Sequence, residues 1–361
     1  MREDLWPRTI LHLQVDAFYS AIHQALQPEL REQPIAVSNR ARQPLITSCS
    51  ETARSLGIEV RMDAAEAIRR CPELILVAPQ PARYRTVSRQ LHAIYRRFTS
   101  PDRIEMLGLD AAFLDITART RRGTSSPEEI ARRLKFMLSA ELNLTASLGV
   151  ATSKLVAQIA GSSRQPDGLV LVTPDSEADF LAPLPATSLP GLGPNTLRQL
   201  QGVGIRTLGE LAGFETSRLV AMLGSAGGIL QRWAEGRDRA PVEGRRPAQT
   251  ISAEVTFERP TIERAEIDRT LKRLIIGLCQ RLQADGVQAR TAAIKTRLAD
   301  SQLVTRQISR HQPSDDAELL FRLSTAALDR IRLTGRPVLL LGVGLSGLEY
   351  PKPDFQLPLF D

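Results

Sequence analysis

Two segments constrain the fold of this chain more than any other part of it. In Leu11-His12-Leu13-Gln14-Val15-Asp16-Ala17-Phe18-Tyr19, the apolar run from Thr9 to Val15 reads as a buried strand that stops at an acid. The residues from Asp16 to Ala25 then read as a helix. In Leu107-Gly108-Leu109-Asp110-Ala111-Ala112-Phe113-Leu114-Asp115, strand-like runs from Arg103 to Leu109 and from Ala112 to Ile116 flank a turn at Asp110. A lone acid in such a turn more often caps it. Two strands that each end on polar side chains, lying side by side, instead gather those side chains at one sheet edge. Sites that hold two divalent ions for phosphoryl chemistry are built there.

The rest of the first half supports an alternating sheet domain. Helix-period segments run from Ala64 to Arg70, Ala82 to Phe98, Pro127 to Leu142 and Lys154 to Ala160. Strands are expected at Thr145 to Val150 and Gly168 to Val172, with short apolar runs at Ile35 to Val37 and Leu45 to Thr47. Past Pro174 the texture changes to short helices with glycine turns at Pro190-Gly191-Leu192-Gly193 and Gly202-Val203-Gly204. The stretch from Gly236 to Pro247, rich in Arg, Pro and Gly, reads as a linker. A second α+β unit follows, with strands near Ser252–Phe257, Thr291–Leu298, Thr305–Ser309 and Val338–Leu345 and helices at Ile262–Leu282 and Asp316–Leu333.

A chain of 361 residues is too long for one ordinary core, so at least two domains are expected. No apolar run reaches membrane-spanning length, and Met1 to Trp6 does not read as a secretory signal. Cys49, Cys71 and Cys279 are scattered, which fits a reducing cytoplasm. A net charge of +7 fits a polyanionic partner, or only an arginine-rich composition. His12, His23, His92 and His311 have no metal-ligand spacing and read as surface or packing residues.

The Leu11–Tyr19 segment resembles the Y-family polymerase motif whose usual form is hydrophobic-hydrophobic-Asp-x-Asp-x-Phe-(Phe/Tyr). The Leu107–Asp115 segment is similar to that family's Ser-(Ile/Leu)-Asp-Glu-Ala-(Phe/Tyr)-Leu-Asp. Tyr84-Arg85-Thr86-Val87-Ser88, Ala146-Ser147-Leu148-Gly149-Val150-Ala151, Ser153-Lys154-Leu155 and Pro166-Asp167-Gly168 continue the resemblance along essentially the whole chain, nearest to the DinB (polymerase IV) branch. It implies an α+β right hand. The palm would be 5–16 and 80–172, the fingers 17–79, and a helix-hairpin-helix thumb 173–237. A linker at 238–247, a little finger at 248–349 and a clamp-binding tail at 350–361 would complete the chain.

Departures from the family pattern fall on the chemistry. Gln14 and Ala111 stand at two of three expected metal-ligand positions, and Asp110 remains as the catalytic remnant and the one residue on which a metal would rest. A neutral amide replaces a carboxylate poorly for Mg²⁺. In the implied nucleotide site, Tyr19 holds the position that blocks a ribose 2′-hydroxyl. Glu51 and Arg54 stand where Tyr and Arg are usual, and Gln165 where Lys is usual. The resemblance implies that Pro190, Gly191 and Gly193 bring backbone N–H groups to a DNA phosphate, and that Lys295, Arg297, Arg306 and Arg310 track primer–template DNA without reading its sequence. Gln356, Leu357, Leu359 and Phe360 resemble the bacterial sliding-clamp binding peptide. The expectation is therefore a DNA-bound, clamp-tethered factor in translesion synthesis and damage tolerance. It would be non-catalytic, like ImuB-type proteins that recruit another mutagenic polymerase, with no productively bound cofactor. The alternative is an active error-prone DNA-directed DNA polymerase of polymerase IV type, using Mg²⁺ at Asp110.

Overall fold

The computed structural model describes residues 6–39, 44–123, 125–244, 249–331, 333 and 335–350. The chain divides into Met1–Arg245 and Arg246–Asp361. The expected tail residues Gln356, Leu357, Leu359 and Phe360 lie outside the described residues. No helix among the described residues is long and apolar enough to cross a membrane.

The first unit carries strands β1 (Ile10–Val15), β2 (Ile35–Ser38), β3 (Ile46–Cys49), β4 (Ile75–Val77), β5 (Ile104–Met106), β6 (Ala111–Asp115), β7 (Ala146–Ala151) and β8 (Leu169–Leu171). The larger sheet has the order β5-β6-β1-β7-β8, so β1 lies at its centre, antiparallel to both neighbours. Alternation along β1 sends Leu11 and Leu13 to one face, where Ala112, Leu114, Leu148 and Val150 join them. The helices Pro81–Tyr95 and Pro127–Leu142 cover that face with Tyr84, Leu91, Ile94, Tyr95, Leu134 and Leu138. Ser126 caps the second of these helices in a capping box with Glu129, and Asn143 ends it in the left-handed region at φ 52°.

The opposite face packs on the helix Lys154–Ser163 through Ile10, Phe113 and Ala151. Backbone meets backbone here: a Cβ added to Gly149 would stand 2.0 Å from the carbonyl oxygen of Ala157. His12 is on this face, 2% exposed, beside Phe113 with ring centroids 5.0 Å apart. β3-β2-β4 form a small separate sheet, joined to the helix Phe18–Leu26 by a 3.0 Å hydrogen bond between the Ser20 and Ser48 hydroxyls. Short helices between Glu177 and Ala234 bury Leu200, Ile205, Leu208, Leu211 and Leu219.

Residues 238–244 lie against the large sheet. Asp238 accepts from the Leu155 amide at 3.1 Å, and the Gly244 amide donates to Asp102 at 2.7 Å. Lys154 and Glu105 pair at 2.7 Å between these anchors, with the ammonium 5.0 Å from the Phe113 ring centre. Glu105 also accepts from the Glu243 amide at 3.0 Å.

The second unit is a four-stranded antiparallel sheet, in the order β11-β10-β12-β9, from β9 (Thr250–Thr261), β10 (Gln288–Leu298), β11 (Leu303–Ser314) and β12 (Val338–Glu349). The helices Arg264–Ala284 and Ala317–Asp329 cover one face, over Ile294, Ala292, Leu341 and Val343. On the open face Lys295 lies between Thr305 and Gly342, and Ala293 between Gln307 and Gly344.

Candidate active site

The centre of the large sheet brings the two diagnostic segments together. The Val15 amide donates to the Asp110 carbonyl at 2.9 Å, which fixes the hairpin tip beside the end of β1. The tip is closed by Leu107 N–H on the Ala111 carbonyl at 2.8 Å, with Gly108 at φ 96°. That φ lies in the region only glycine adopts without strain. In the β1–β6 register Gln14 stands directly opposite Ala111. The two positions where carboxylates were expected are therefore cross-strand neighbours, one residue from Asp110.

Asp110 is half-buried, and burial pushes its carboxyl above the usual carboxylate range. Its own backbone amide and the Gln14 side chain partly oppose that shift. Gln14 Oε1 in turn accepts from Gln165 Nε2 at 3.2 Å. Tyr19 and Tyr95 both feel the Asp110 charge. Burial first, and that charge second, push their hydroxyls up. Tyr19 packs against Tyr84 with ring centroids 4.8 Å apart. Tyr95 is fully buried beneath the site, and its hydroxyl lacks a hydrogen-bond partner.

Asp16 is committed elsewhere. Its Oδ1 accepts from the Ser147 hydroxyl at 2.7 Å and its Oδ2 from the Asp167 amide at 2.9 Å. It braces β1 to β7 and to the 165–168 loop. Lys135 Nζ pairs with Asp167 at 2.9 Å and holds the same loop from its other side. Glu51 and Arg54 pair with each other at 3.1 Å on an exposed helical turn capped by Ser50, so the pair carries no net charge. Among the described residues no group of three or more His, Cys, Asp or Glu side chains could hold a metal ion. A pair of divalent ions clamped by carboxylates does not fit this donor set, and no chemical step is drawn through one.

The other expected site residues are distributed. Gly191, at φ 82°, turns the chain after Pro190, and Gly193 is the N-cap of the helix Pro194–Gly202. Lys295 and Arg297 share the open face of the second sheet, where Lys295 pairs with Glu254 at 3.0 Å. Arg306 does not join them. Its register partner is the core residue Ile294, so it faces the helix-covered side, while Arg310 lies where the β10–β11 register shifts. Lys135 and Tyr95 were missed by sequence reasoning. The partner of Lys135 is 32 residues away in the chain, and Tyr95 reads as one more apolar position of its helix.

Comparison with known proteins gives consistent results. The impB/mucB/samB family matches residues 13–162, and its C-terminal domain matches residues 248–359. A DNA polymerase IV of Halorhodospira halophila is 38% identical over 95% of this chain and 96% of its own length. One from Bacteroides fragilis is 34% identical over 94% and 92%. Among solved structures, a Y-family DNA polymerase chimera, Dbh-Dpo4(243-245)-Dbh, aligns with TM-score 0.82 at 22% identity, covering 95% of this chain and all of its own. DinB from Sulfolobus solfataricus aligns with TM-score 0.70 at 22% identity over 94% and 98%. The right-hand α+β fold with a separate C-terminal sheet is therefore established.

These findings correct one expectation. The exchanges at Gln14 and Ala111 pointed to a non-catalytic accessory factor of the ImuB type. Eight relatives at 33% to 38% identity are all named DNA polymerase IV, and the similarity spans 94% to 98% of this chain. They favour the enzymatic alternative. The physical reason is that a missing carboxylate removes stabilisation in steps, and leaves intact the framework that aligns the reactants.

Proposed function

This chain belongs to the impB/mucB/samB family, on the DinB and polymerase IV branch of the Y-family polymerases, and from that premise we propose that it is a DNA-directed DNA polymerase acting in translesion synthesis. The observation that carries the reading is end-to-end similarity, at 33% to 38% identity, to chains named for that activity. The large sheet serves as palm, the β3-β2-β4 segment as fingers, the short helices as thumb and the second unit as little finger. Asp110 supplies the retained carboxylate. The half-buried Tyr19 ring, packed on Tyr84, forms a rigid wall beside it. The Gly191–Gly193 turn presents backbone N–H groups to a phosphate, and Lys295 and Arg297 hold the duplex through its backbone charge, which is blind to sequence.

Primer extension on a primed template, with Mg²⁺ or Mn²⁺, tests the reading. Template-directed addition is expected, and Asp110→Ala is expected to lower it about 100-fold. Addition no faster than in Asp110→Ala, at saturating protein and nucleotide, would overturn the assignment.

A bacterial sliding clamp is the proposed partner, supported by the Gln356-Leu357-Pro358-Leu359-Phe360 sequence. Leu and Phe side chains of such a peptide fill an apolar pocket while Gln supplies hydrogen bonds. Co-elution with the clamp is expected, and it is expected to vanish when residues 356–360 are deleted. Retention of the complex after that deletion would refute the assignment.

A further inference from the structure

We propose that Glu254 sets the affinity of the second unit for DNA: its carboxylate holds Lys295 in the place a DNA phosphate would take, so that DNA binds by displacing it. The register puts both side chains on the open face of the sheet, on either side of Gly342, which is the partner of Lys295 on β10 and of Glu254 on β9. Two strand spacings, roughly 9–10 Å, separate the two backbones, so the pair forms only if the side chains lean across β12. They do so, and Lys295 Nζ donates to Glu254 Oε2 at 3.0 Å. A Cβ added to Gly342 would stand 3.3 Å from the Glu254 Cβ, 3.6 Å from its Oε2 and 3.6 Å from the Lys295 Cβ, so the glycine lies directly beneath the ion pair. Glycine weakens a strand interior and marks such close approaches. The Lys295 and Glu254 side chains are 41% and 54% exposed. A pair so exposed contributes little to the fold. Its effect falls instead on an anion that approaches this face. Arg297, exposed two residues along the same strand, offers a phosphate a cation directly, whereas Lys295 offers one only after exchanging partners. The released carboxylate then stays on the surface beside the bound phosphate and repels it.

The inference rests on the reading that this open face holds DNA. Fluorescence anisotropy of a labelled primer–template with the full chain, over a range of NaCl concentrations, tests it with no need for catalysis. Glu254→Gln is expected to tighten binding about twofold to fivefold, the range of exposed charge pairs. It is also expected to steepen the dependence of log Kd on log [NaCl] by about one, as one more phosphate is neutralised. Asp329→Asn removes the same charge from the helix-covered side, where Asp329 pairs with Arg264 at 2.7 Å. Salt screens that position from DNA on the open face, so its effect on Kd is expected to be much smaller. Binding by Glu254→Gln that is no tighter than by Asp329→Asn, or an unchanged salt slope, would overturn the proposal. Lys295→Gln separates the proposal from the reading beneath it. Weaker binding with a shallower slope supports the open face as the surface that holds DNA, independently of Glu254, and wild-type affinity would overturn both.

Discussion

Gln14→Asp combined with Ala111→Glu is expected to raise the single-turnover rate of primer extension by about four decades. Each restored carboxylate contributes roughly 3 kcal/mol of transition-state stabilisation, and 1.4 kcal/mol is a factor of ten. The register makes the pair a unit: positions 14 and 111 are partners across β1 and β6, and Asp110 adjoins them. The two changes are therefore expected to be non-additive. Gln14→Asp alone sets an acid against Asp110 with too few ligands to hold the ions that would relieve the repulsion, so most of the gain is expected only in the double variant. Ala111 is 7% exposed, so circular dichroism of the variant must first show an intact fold. A folded double variant no faster than the wild type would show that these positions do not limit the rate.

Acid is expected to destabilise the first unit through His12. The imidazole is 2% exposed, wedged between Phe113 and the Gly161 backbone, and its Nδ1 lacks a hydrogen-bond partner. Burial lowers its pKa from 6.5 to about 4. Between those values the unfolded chain binds a proton that the folded chain does not. Stability is therefore full above about pH 6.5 and falls as the pH drops towards 4, by about 3 kcal/mol in all. Urea denaturation of the wild type and of His12→Leu, at several pH values, isolates this term, because carboxylates shared by both chains cancel in the difference. A difference that stays constant from pH 7 to pH 4.5 would contradict the assignment.

Legibility varied with the range of the interaction. β1, the Asp110 hairpin and the helix Pro127–Leu142 could be read directly, because alternation, a turn glycine and a capping box are all local signals. The strands of the second unit were located but read too short. β11 runs Leu303–Ser314 where Thr305–Ser309 was expected, since pairing with β10 carries polar residues that no apolar pattern marks. Which way Arg306 points depends on its partner Ile294, twelve residues earlier on another strand, and its own spacing says nothing of that. The Lys154–Glu105 and Lys135–Asp167 pairs were invisible for the same reason. The accessory role drawn from Gln14 and Ala111 gave two positions more weight than the similarity along the rest of the chain supports.

The division of basic side chains between the two sides of the second sheet has a consequence for encounter. Arg306 lines a concavity with Arg330 and Arg336 on the side away from Lys295 and Arg297. With basic side chains on both broad surfaces, Lys295 and Arg336 each paired with an acid, attraction of a polyanion at long range does not decide how it docks. That decision falls to contour at short range. On the open face Gly342 and Gly344 flank Lys295 and Ala293 and add no side chains of their own, with the Glu254 carboxylate beside Gly342, while the opposite side is ridged by two helices.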